Sequence, residues 1–125
     1  MKKLFWLLFI PVGLCFHSSC TKDKTPPPAD VTCDGIDPAA NTYNLRIKTI
    51  LDAECATVGC HDNFVASFSI RLNNYANSQE AFETKNSLCS IKQTGGCLPM
   101  PQGRDKLADS LITYIQCWAN NGYQE

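Results

Sequence analysis

Histidine and methionine are scarce, with two of each in 125 residues. One of each, His17 and Met1, falls within the first twenty positions, so the rest of the chain holds one imidazole, His61, and one thioether, Met100. This excludes acid–base chemistry shared among several histidines, and neither a Ser, His and Asp constellation nor a paired-carboxylate motif stands out from ordinary surface charge. No enzymatic site is expected. Clustered cations are also missing: 11 Lys and Arg stand against 12 Asp and Glu, for a net charge of −1. With no basic stripe to neutralise phosphates, nucleic acid is not an expected partner. No apolar run reaches the roughly 20 residues that span a bilayer as a helix, and there is no internal repeat.

What is present begins with "MKKLFWLLFIPVGLCFHSSC", where Lys2 and Lys3 precede an apolar run from Leu4 to Phe16. That order is an export signal. The small residues Ser18 and Ser19 before Cys20, with polar "TKDK" after it, resemble a bacterial lipoprotein box. His17 stands where such boxes usually carry an aliphatic residue, and Cys15 fits less well because bulky Leu14 precedes it. The resemblance implies a signal peptide over residues 1–19 and acylation of Cys20, with several acyl chains giving stable membrane anchoring; an ordinary secretory signal is the alternative. Either way an exported, periplasmic or outer-membrane protein is expected. Residues 20–40 are polar and carry the run Pro26 to Pro28, and read as a tether. Residues 41–125 suit one small domain, of a size at which staples or a cofactor commonly supplement the hydrophobic core.

Cysteine is abundant, with eight in the chain. Setting aside Cys15 and Cys20 leaves Cys33, Cys55, Cys60, Cys89, Cys97 and Cys117, an even number that in an exported chain points to oxidised or covalently bound sulfur. Cys89 and Cys97 bracket the turn-rich "SIKQTGG" and are close enough for a local disulfide; Cys33 and Cys117 would then tie the tether's end to the last helix. Four cysteines allow three pairings, and all three remain open at this level. In "CATVGCHD", Cys55 and Cys60 flank four residues and His61 follows directly. A zinc site would need four donors, such as His61, Cys55, Cys60 and one of Cys89 or Cys97, and export argues against such thiolates. A Cys55 to Cys60 disulfide beside an exposed His61 is the other structural reading. Met100 lies in "GGCLPMPQG", where Pro99 and Pro101 favour an extended loop.

With those residues in view, the chain resembles a monohaem c-type cytochrome domain. The likeness covers "TYNLRIKTILDAECATVGCH", residues 42–61, and "MPQGRDKLADSLITYIQCWANNG", residues 100–122, about half of the domain. It implies haem c joined through Cys55 and Cys60, iron held by His61 and Met100, and electron transfer to redox protein partners. The spacing departs from the usual C-x-x-C-H: two further residues must loop out, and Gly59 is the natural place for a permissive backbone angle. The competing class is a cofactor-free, disulfide-stapled surface lipoprotein acting as a binding or structural module.

Periodicity predicts an all-α domain with long loops. A first helix over residues 42–54, capped by Asn41 or Thr42, aligns Tyr43, Ile47, Ile50 and Leu51. A last helix over 106–120 aligns Leu107, Leu111, Ile112, Ile115, Trp118 and Ala119, with Gly122 placed to end it. Residues 66–72, "ASFSIRL", read as extended, and residues 77–86 as a short helix whose Asn77 and Glu80 have capping-box spacing. Asp62 reads as a solvated loop residue, with an N-cap as the alternative. The family resemblance implies that the first and last helices pack together beside the haem.

Overall fold

The computed structural model describes residues 31–125; the signal segment, Cys20 and the proline run of the tether lie outside the described residues. The fold is all-α, with no strand among the described residues. The four main helices are α1 (Lys48–Glu54), α2 (Tyr75–Thr84), α3 (Ser87–Lys92) and α4 (Asp109–Asn120). None of them is long and apolar enough to cross a membrane.

A π-helical turn, Tyr43–Ile47, leads directly into α1. Thr42 Oγ1 accepts the Leu45 N–H at its start, which satisfies one of the donors that a helix beginning leaves free. Tyr43, Ile47, Ile50 and Leu51 are all buried on one face. They meet α4, whose Ile112, Ile115, Trp118 and Ala119 form the opposing stripe, while Leu111 is only partly buried. Trp118, fully shielded from solvent, is ringed by Tyr43, Phe82 and Tyr123 at centroid distances of 6.1, 6.0 and 5.0 Å. Polar ties fix the same contact: Asn41 Nδ2 donates to the Tyr114 carbonyl at 3.0 Å, and the Tyr43 N–H to the Gln124 carbonyl at 2.8 Å.

The end of α4 is a Schellman motif. Gly122 takes a φ of 76°, which lets its own N–H reach the Ala119 carbonyl and the Tyr123 N–H reach the Trp118 carbonyl, each at 3.0 Å. This turns Tyr123 back onto Trp118. The Trp118 indole N–H donates to Gln124 O at 2.8 Å, and Tyr75 OH to Tyr123 O at 2.7 Å, so the C-terminal segment closes over the core.

Three elements differ from the periodic reading. Helix α2 starts at Tyr75 because Asn74 is the cap: its Oδ1 accepts the Asn77 N–H at 2.9 Å, a role the sequence pattern had given to Asn77. Helix α4 starts at Asp109; residues 105–108 stay irregular, with Leu107 buried ahead of the helix. Residues 66–72 are not a simple extended segment, since Ala66, Phe68 and Ser69 have positive φ and Ser67–Ser69 form a 3-10 turn before extended Ile70. Helix α3, six residues long, was not foreseen.

Disulfides join Cys33 to Cys117 and Cys89 to Cys97, the two pairs put forward above. The first fastens part of the presumed tether to α4, and residues 33–40 form turns that include the 3-10 helix Pro38–Ala40. Cys33→Ser with Cys117→Ser should lower the unfolding free energy by about 2–4 kcal/mol, since the bridge closes a long loop. Trp118→Ala should cost about 3–5 kcal/mol through the cavity it leaves. Urea titration followed by circular dichroism measures both.

Candidate functional site

After α1 the chain enters a loop that is built around His61. The Ala56 N–H is held by the Leu51 carbonyl at 2.8 Å, and the Cys60 N–H by Thr57 O at 3.0 Å, making a tight turn in which Gly59 has a φ of 85°. The His61 N–H then returns to the Cys55 carbonyl at 3.2 Å. His61 O accepts the Leu72 N–H at 2.9 Å, and His61 Nδ1 lies 3.1 Å from the Ile70 carbonyl. A carbonyl can only accept, so Nδ1 carries the proton in this contact and Nε2 is left as the ring's lone-pair donor.

Asp62 is buried rather than solvated, and it organises the other side of the loop. Its Oδ1 accepts the N–H groups of Phe64 and Val65 at 2.8 and 2.7 Å, and its Oδ2 accepts that of Gly59 at 3.1 Å. The Val65 N–H above all, aided by those of Phe64 and Gly59 and opposed by burial, holds the carboxyl below its ordinary range. Of the two sequence readings of Asp62, the N-cap one is nearer to this arrangement, because the partners are main-chain N–H groups.

The loop forms one wall of a cavity of about 500 Å³, within the roughly 300–1,000 Å³ typical of small-molecule and cofactor sites. Cys55, Cys60, His61 and Met100 all line it. Ile70, Leu72, Phe82, Ile91 and Leu107 add apolar wall, with Phe68 and Leu98 exposed at the rim. Lys85, Ser87, Ser90, Gln102 and Arg104 make the rest polar. Met100 is held by its main chain: its N–H donates to Ser90 O at 3.0 Å, and its carbonyl accepts from Gln93 Nε2 at 3.2 Å. The Met100–Pro101 bond is cis. Helix α3 thus carries both the anchor for Met100 and Cys89, whose partner Cys97 also lines the cavity.

Cys55 and Cys60 are unpaired thiols, half-buried and exposed respectively. Burial, with the nearby Glu54 carboxylate, pushes the Cys55 thiol up to about 12, against a smaller opposing effect of Arg104. Cys55 is therefore a protonated, poorly nucleophilic thiol at neutral pH. Cys89 and Cys97 are tied up in their disulfide, which takes from a zinc site the fourth donor it would require. What the cavity brings together is an oriented imidazole, a soft thioether and two thiols on partly apolar walls. The wall residues Leu72, Phe82 and Ile91 were not identifiable as site residues from sequence, where their apolar character spoke only of packing.

Comparison with protein-family models, curated proteins and solved structures finds no match for this chain.

Two outcomes follow from the site's electrostatics. Iodoacetamide applied to the chain with both thiols free, near pH 8, should label Cys60 at least about tenfold faster than Cys55, as peptide mass mapping would record. The Asp62 carboxyl titrates below its unfolded value, so its hold on the loop is complete above about pH 4 and is lost on further acidification. Amide exchange at Phe64 and Val65 should accelerate over that acid range, and Asp62→Ala should make it fast at neutral pH as well.

Proposed function

We propose that this protein is an electron carrier with one covalently attached haem c, exported and held at a membrane through a lipid on Cys20. The observation that carries the reading is the convergence on one cavity of the four residues such a cofactor requires, with His61 already oriented by the Ile70 carbonyl. A histidine that ligates a metal through one ring nitrogen generally donates the other N–H to a carbonyl or carboxylate, which fixes the ring and raises its basicity. The donor set fits: Cys55 and Cys60 would carry the thioether bonds, and His61 Nε2 and Met100 Sδ would hold the iron.

Haem supplies a reversible one-electron couple, and the chain's own groups set the conditions for it. His61 is kept in one tautomer by Ile70, so its donor nitrogen needs no rearrangement between oxidation states. The Met100 thioether, a soft donor, would favour the reduced metal and raise its potential. Its anchorage to Ser90 and Gln93, with the Cys89–Cys97 bridge beside it, limits how far the loop can drift. Phe82, Leu72 and Leu107 make part of the wall apolar, which would limit water at a bound cofactor and tune its potential further. The apolar rim at Phe68 and Leu98 suits approach of a redox protein partner.

The two disulfides suit the cofactor-free surface module as well, so the decisive measurement concerns the cofactor. Material from cells competent in cytochrome maturation should be red, give a pyridine haemochrome spectrum and keep its colour through acid–acetone extraction. A mass equal to the bare polypeptide would overturn the reading in favour of the stapled module. Met100→Ala should abolish the sulfur-to-iron charge-transfer band while leaving the haem attached; a band that survives would remove Met100 from the ligand set.

A further inference from the structure

One ion pair joins the two halves of the site. Glu54 is the last residue of α1 and directly precedes Cys55, while Arg104 lies four positions beyond Met100 in the irregular segment that leads to α4. Arg104 Nη2 donates to Glu54 Oε2 at 2.8 Å, and Nη1 donates to the Glu54 main-chain carbonyl at 3.4 Å. That carbonyl belongs to the last turn of α1, where acceptors lack intrahelical partners and the helix end is partially negative. One guanidinium therefore binds both the side chain and the helix terminus, a fork that a lysine ammonium does not reproduce. Glu54, Arg104 and Leu107 also border a second, more open cavity of about 430 Å³, so the pair stands in the wall between the two.

We propose that Arg104 is a positioning residue whose ion pair with Glu54 latches the Met100 loop to the end of α1 and closes the wall between the two cavities. Its release frees Met100 to swing away and admits small exogenous ligands. This role deepens the electron-carrier reading and rests on it for the meaning of the latch, though the latch itself is measurable without a cofactor. The side chains are 53% and 29% exposed, and a pair that open to water shifts an equilibrium by only about two- to fivefold. It is also sensitive to salt, since screening at about 1 M reduces the range of the interaction to roughly 3 Å.

The test uses the full chain, matured in cells competent to attach haem, as wild type, Arg104→Ala, Arg104→Lys and Glu54→Gln. The first readout is exchange of the Met100 amide, which bonds to Ser90 O: it should speed up about two- to fivefold in Arg104→Ala and Glu54→Gln and less in Arg104→Lys, with Ile115 in α4 unchanged. The second is the rate at which added imidazole removes the sulfur-to-iron band, which should rise by the same factor. About 1 M sodium chloride should bring the wild type close to Arg104→Ala and leave that variant unaffected. Unchanged Met100 exchange and imidazole rates in Arg104→Ala would overturn the latch. If the chain carries no haem the electron-carrier reading fails instead, and Met100 exchange alone still decides whether the latch exists.

Discussion

The contact between His61 Nδ1 and the Ile70 carbonyl is the constraint on which the cavity depends. It fixes the orientation of the only imidazole among the described residues, and with the Leu72 N–H on His61 O it draws the segment after the 3-10 turn alongside the loop that follows α1. Ile70 and Leu72 become cavity wall through that pairing. The left-handed residues Ala66, Phe68 and Ser69 follow from the same demand, because the chain must reverse tightly between His61 and Ile70. Such conformations are unfavourable for side chains with a Cβ. They are sustained here by hydrogen bonds at each end, from Ser67 N–H to Cys60 O and from Leu72 N–H to His61 O.

The core and the cavity share a wall, so stability and site geometry are coupled. Phe82 packs edge-on against Trp118 on one side and lines the cavity on the other; Leu107 does both duties where the chain approaches α4. A domain this small has limited apolar area to bury, and its two disulfides restrain the parts least served by the core. Cys33–Cys117 holds the segment ahead of the first helix, while Cys89–Cys97 holds the start of the Met100 loop. The restraint at Met100 is thereby assigned to covalent and polar ties. That segment is irregular and half-exposed, and dense packing is not available to it.

Much of this was legible in the sequence, for physical reasons that also explain the rest. The faces of the first and last helices were readable because Tyr43, Ile47, Ile50 and Leu51, and Ile112, Ile115 and Trp118, repeat at helical spacing and have nowhere to go but inward. Gly122 and Gly59 were readable because their turns require positive φ. Helix α3 was not, since Leu88 and Ile91 alone cannot define a period in six residues. The cap of α2 was misplaced by three residues because Asn74 and Asn77 offer the same capping chemistry, and only the fold selects between them. Asp62 could be read as a surface carboxylate or as a cap, and here too the fold decides, because main-chain donors leave no trace in side-chain composition. His61 and Met100 were singled out by scarcity, and Cys55 and Cys60 joined them only through the resemblance; that all four line one cavity with Phe82 and Leu72 is a tertiary fact.

Four residues separate Cys55 and Cys60, enough to carry the two cysteines apart along the chain. The turn removes the difficulty. Thr57 O takes the Cys60 N–H, Gly59 supplies the left-handed position, and Cys55 O takes the His61 N–H, so the residues between project outward and the loop ends stay together. Val58, in this turn, is 96% exposed. Asp62 then braces the projecting turn by holding the Gly59 N–H with the same carboxylate that holds Phe64 and Val65. Cys55 and Cys60 therefore reach the same cavity despite the spacing. The turn also shapes the surface beside them: Val58 and Phe64 are displayed on a loop whose one carboxylate is turned inward, leaving an apolar, uncharged margin next to the site. Such a margin offers shape and apolar contact rather than long-range charge.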